Sequence, residues 1–73
     1  MAHYTYTRRF AAHHGQGIVT IPDQVAEDQR GYAAADRSFP ALRDDGRRVR
    51  VRLDPEAYGL FTTGTGDAVV RSA

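Results

Sequence analysis

Cysteine, lysine, asparagine and tryptophan are all missing from the 73-residue chain. Without cysteine there is no disulfide, no thiolate metal site and no thiol nucleophile. A chain of this length buries only about 60% of the surface its unfolded form exposes. Stability then has to come from packing or from association. No apolar run approaches the roughly 20 residues of a membrane helix. Met1 to Phe10 is polar and carries Arg8 and Arg9, so no signal peptide is expected there. These absences predict a single small domain over residues 1–73, not bound in a membrane, cytoplasmic or particle-associated.

Lysine's absence makes all ten cationic side chains arginine. Alanine, arginine, glycine and aspartate are plentiful, a composition that fits a high-GC bacterial genome or its phage. The net charge of +1 gives no global attraction to nucleic acid or acidic membranes. The distribution is uneven, because residues 47–53 hold four arginines and no acid, whereas residues 23–46 hold six acids and three arginines.

Period-two patterns dominate. Residues 3–10 are rich in aromatic and β-branched types and predict a strand with Tyr4, Tyr6, Arg8 and Phe10 on its core side. Ala11 to Gly17 predicts a loop. Ile18 to Ile21 predicts a short apolar strand closed by Pro22. Asp23 to Arg30 predicts a short helix, started by Pro22 and Asp23 and stopped by Gly31, with a further turn through Ala33–Ala35. Asp45-Gly46 between apolar runs predicts a hairpin with a type I′ turn. Its second strand is Arg47 to Leu53, where Val49, Val51 and Leu53 alternate with Arg48, Arg50 and Arg52. Pro40 places the first strand of that hairpin at an edge or breaks it. Asp54 to Ala57 predicts a capped helical turn, residues 58–63 a strand, Gly64 to Asp67 a tight turn, and Ala68 to Arg71 the last strand. The fold class implied is α+β and strand-rich: a small, mostly antiparallel sheet or partly open barrel with one or two short helices.

Chemistry-bearing patterns are few. Arg48, Arg50 and Arg52 project from one strand face at about 6–7 Å spacing. That repeat suits phosphates along a nucleic acid and equally a carboxylate-rich protein surface. Arg8 and Arg9 add charge near the N-terminus. His13 and His14 are adjacent, but no zinc, calcium or metalloprotease pattern accompanies them. Ser38 and Ser72 lack a nucleophile-elbow context. Gly15-Gln16-Gly17 and Gly64-Thr65-Gly66 do not complete a phosphate loop. No catalytic set, metal site or cofactor is expected.

Gly17-Ile18-Val19-Thr20-Ile21-Pro22, followed by Asp23-Gln24-Val25, resembles the strand-to-helix segment of AbrB-type swapped-hairpin transcription factors. The likeness covers about nine of the 73 residues. It implies a dimer that binds DNA through arginines. The family's helix arginine falls near Ala26, and its Pro-Gly-Asp step after the helix is absent.

The expected function is therefore a non-enzymatic interaction or accessory protein. It binds a larger protein or copies of itself through sheet edges and the arginines at 48, 50, 52, 8 and 9. The alternative is a small nucleic-acid-binding regulator using Arg47 to Arg52.

Overall fold

Short strands with apolar residues at every second position stay folded only when paired and covered on one face, and the chain achieves both. The computed structural model describes residues 3–54 and 68–73, with the backbone alone for Arg8 and Arg9. Five strands are described: β1 Tyr6–His14, β2 Gly17–Pro22, β3 Ser38–Arg43, β4 Arg48–Leu53 and β5 Val70–Ser72. Two helices, α1 Asp23–Glu27 and α2 Gln29–Ala34, lie between β2 and β3. The strands form an antiparallel sheet in chain order, β1-β2-β3-β4-β5. It is the small α+β fold that the sequence implies.

The sheet is not closed. Among the described strands the outer two, β1 and β5, meet at an isolated parallel bridge between His13 and Val69, where the His13 N–H donates to the Ala68 carbonyl at 2.8 Å. One face of the sheet carries the core. Ala12, Val19, Ile21, Phe39, Ala41, Val51, Leu53 and Val70 are buried there, under Val25, Ala26 and Tyr32 from the helices. Phe39 is fully buried, and its ring meets the Tyr32 ring edge-on at 5.8 Å.

The first strand differs from expectation. Residues 11–14, read as loop, continue β1, because Gly15-Gln16 alone turns the chain. Gly15 has φ +61 and Gln16 does not have a positive φ, the type II′ pattern that fits a two-residue hairpin. The register then slips between Tyr6, opposite Pro22, and Ala11, opposite Thr20. That bulge breaks the strict alternation. Tyr4 and Phe10 pack on the core, whereas Tyr6 lines the outer face beside Thr20 and Leu42.

The helical region also differs. Gly31 does not stop the helix. The break falls at Asp28 (φ −121, ψ 42), and α2 runs through Gly31 to Ala34. A Cβ on Gly31 would lie 2.7 Å from the carboxylate of exposed Asp28, a side-chain end that can rotate away. Val25, Ala26, Gln29 and Tyr32 keep one buried stripe across it. The real stop is Asp36, with φ +49. Asp36 N–H reaches the Ala33 carbonyl and Arg37 N–H the Tyr32 carbonyl, the paired bonds of a Schellman ending.

Pro40 neither breaks β3 nor puts it at an edge, since β3 lies between β2 and β4. The β2–β3 pairing covers only Val19–Arg43 and Thr20–Leu42. Two residues further it would set Pro22 against Pro40, and neither has an N–H to give. The Tyr6 hydroxyl fills part of that gap, donating to the Pro40 carbonyl at 3.1 Å.

The β3–β4 hairpin forms where expected, but not through a type I′ turn. Gly46 N–H bonds the Arg43 carbonyl, Arg43 N–H bonds the Arg47 carbonyl, and only Gly46 has positive φ (+84). This is a three-residue loop with a glycine bulge. The last strand is Val70–Ser72, preceded by the Val69 bridge. The expected turn at 55–57, strand at 58–63 and turn at 64–67 lie outside the described residues.

Candidate functional site

Because β4 buries Val51 and Leu53, its alternate residues must face outward. Arg48 and Arg50 are exposed and Arg52 is half-buried, so the structure brings these three sequence-identified residues onto one face. Register completes the surface. β3 sets Ser38 opposite Arg52, Pro40 opposite Arg50 and Leu42 opposite Arg48. On the other side β5 sets Arg71 opposite Arg52. Arg8 and Arg9 lie in β1 where its register with β2 slips, and their side chains are outside the described residues.

The arginines are held differently. Arg52 Nη1 donates to Asp36 Oδ2 at 2.9 Å. Arg50 Nε donates to Ser38 Oγ at 3.1 Å. Among the described residues no carboxylate lies within ion-pair distance of Arg48, Arg50 or Arg71. Arg47 pairs with Asp45 at 3.8 Å on the exposed hairpin tip and takes no part in the face. Arg37 stacks over the Tyr32 ring at 4.8 Å, clasping the end of α2.

Beside the arginines lies an open groove of about 620 Å³ between the β1 bulge and the β3–β4 hairpin. Its floor is Ala11, Ile18, Thr20 and Leu42, and Tyr6 and Arg43 stand at its rims. Ile18 is 49% exposed, the one large hydrophobe so exposed among the described residues. Burial pushes the Tyr6 phenol above its ordinary value, Arg48 nearby opposes the shift, and Tyr4 adds to it.

The histidines separate. His13 points to solvent, while His14 Nε2 lies 2.8 Å from Ser72 Oγ, joining β1 to β5. Among the described residues no carboxylate bonds the His14 ring, so nothing orients it as a triad would require. No three His, Asp or Glu side chains gather as metal ligands among the described residues. None of the described helices is long and apolar enough to cross a membrane.

Sequence reasoning missed Arg71, Ser38 and Asp36 as members of the face. Arg71 directly follows the apolar run Ala68-Val69-Val70, and only strand register shows that it faces Arg52. No family model, curated protein or solved structure matches the chain.

Proposed function

We propose that the protein is a non-enzymatic interaction module that docks a larger, anionic partner protein through the outward face of its sheet. The observation that carries this reading is the gathering of Arg48, Arg50, Arg52 and Arg71 on one face of two adjacent strands, with Asp36 their one carboxylate partner among the described residues. Arginine forks suit carboxylates and other oxyanions. The neighbouring apolar strip of Ile18, Leu42, Pro40 and Tyr6 supplies contact area that charge alone lacks. The face carries the reading better than the edges do, since β1 and β5 run into one another at the His13–Val69 bridge.

Nucleic-acid binding is the second reading. The outward spacing of the β4 arginines, about 6–7 Å, favours it. Against it stands the placement of the aromatics. Tyr4, Phe10, Tyr32 and Phe39 pack in or on the core, and the Tyr6 hydroxyl is tied to Pro40, so none of these aromatics among the described residues forms a stacking platform beside the ladder.

The test is light scattering of the protein alone and with mixed nucleic acid, at low and moderate salt. It is followed by partner capture with wild type and with an Arg48→Glu/Arg50→Glu variant. Capture of a defined protein that the charge reversal abolishes supports the reading. A salt-sensitive nucleic-acid complex that the same variant abolishes moves the function to the second reading. A defined oligomer insensitive to both replaces the partner with copies of the chain.

A further inference from the structure

The outward face is electrostatically unfinished at one place. Register sets Arg52 directly opposite Arg71 on the same side of the sheet. Like charges so placed repel. Arg50 lies one pleat along β4 and is steadied by Ser38, which itself sits opposite Arg52 on β3. Asp36, fixed at the end of α2, accepts from Arg52. Among the described residues it is the one carboxylate within ion-pair distance of these three arginines. Among the described residues, three guanidinium groups against one carboxylate leave two positive charges unmatched. Arg52 Nε is also shielded from solvent, with no acceptor among the described residues. A strand pair with no ligand to hold would gain by replacing either arginine.

We infer that Arg50, Arg52 and Arg71, with the Ser38 hydroxyl beside them, form a site for a dianionic oxyanion of the phosphate-monoester class. The charge decides against a carboxylate, which brings one negative charge where two are unmatched. A phosphate monoester carries about −1.5 to −2 at neutral pH and three acceptor oxygens. Guanidinium forks match those oxygens in pairs. This deepens the proposed function and rests on it: the group presented is a phosphorylated side chain of the partner protein. Free phosphate offers the same chemistry and has to be told apart by experiment.

The experiment follows the arginine Nε and backbone NMR signals of the whole chain. The additions are inorganic phosphate, sulfate, acetate and chloride at matched ionic strength, then a short phosphoserine peptide and its unphosphorylated control. Saturable shifts at Arg52 and Arg71 with phosphate and sulfate, but not with acetate or chloride, are expected. The phosphopeptide is expected to bind at least tenfold more tightly than its control. Arg71→Gln should weaken phosphate binding roughly tenfold, the loss of a charge-assisted hydrogen bond. Asp36→Asn should strengthen it by about two- to fivefold, because it removes a competing carboxylate. Equal responses to all four anions, or an unchanged affinity in Arg71→Gln, overturn the site. Binding of inorganic phosphate with exclusion of the phosphopeptide overturns the phosphorylated partner. Arg48 lies outside the site, so partner capture lost in Arg48→Glu while the site fails leaves the interaction reading standing. The converse result leaves the anion site standing alone.

Discussion

Gln29 is 5% exposed and its Oε1 has no hydrogen-bond partner among the described residues. A buried acceptor left unpaired costs about 1–3 kcal/mol. Gln29→Met keeps the length and helix preference of the side chain and removes that acceptor. It is expected to raise stability by about 1 kcal/mol, read as a higher urea midpoint with an unchanged slope. Gln29 belongs to the buried stripe by helical spacing, but a glutamine in a sequence gives no warning that it faces inward. Two tyrosines provide a pH test. Burial raises the phenol of Tyr32, with Tyr4 adding to the shift and Arg37 opposing it, and burial likewise raises that of Tyr6. A folded-state value above the unfolded one favours the neutral form. The stabilisation is complete below the unfolded value of about 10 and is lost as pH rises through the higher folded values. Ultraviolet titration should show phenols ionising later in the folded protein than in urea, and Tyr6→Phe should remove one late phenol. Late ionisation undiminished in Tyr6→Phe would contradict the Tyr6 assignment.

Elements depend on a few backbone positions. Gly15 (φ +61) turns β1 into β2, and Gly46 (φ +84) closes the β3–β4 loop. A Cβ at either meets no atom within 4 Å, so substitution costs conformational energy alone. Gly15→Ala and Gly46→Ala should each destabilise by about 1 kcal/mol, and Gly46→Asn by less, because asparagine tolerates the left-handed region. Thermal melts of the three variants check the order. Asp45-Gly46 was legible as a hairpin because its chemistry is local. The length of β1 was not, since polar His13 and His14 extend a strand only because β2 and Ala68 receive their backbone. Gly31 misled for a related reason: it has the composition of a stop, but packing of the buried stripe carries α2 through it to Ala34.

At the scale of the whole molecule the core is small and holds several alanines, so single large side chains matter. Phe39 is fully buried between the sheet and Tyr32. Phe39→Ala should cost about 3–5 kcal/mol, comparable to the whole margin of many small domains. Circular dichroism is expected to show a chain largely unfolded at 37 °C, with Phe39→Leu still folded. A variant retaining a cooperative melt near that of wild type would mean that the core does not depend on this ring.

The sequence alone determined the strand-rich class, the inward valines and outward arginines of β4, the position of the β3–β4 turn and the helical character after Pro22. Each follows from a short-range rule: side-chain alternation, turn chemistry, or the geometry proline imposes. Tertiary structure decided what spans the chain. It set the register that places Arg71 against Arg52 and Pro22 in line with Pro40, the bulge that sends Tyr6 outward, and the meeting of β1 with β5. Those outcomes depend on residues far apart in sequence competing for one buried face, and a local pattern records which side a residue prefers but not which strand will lie beside it.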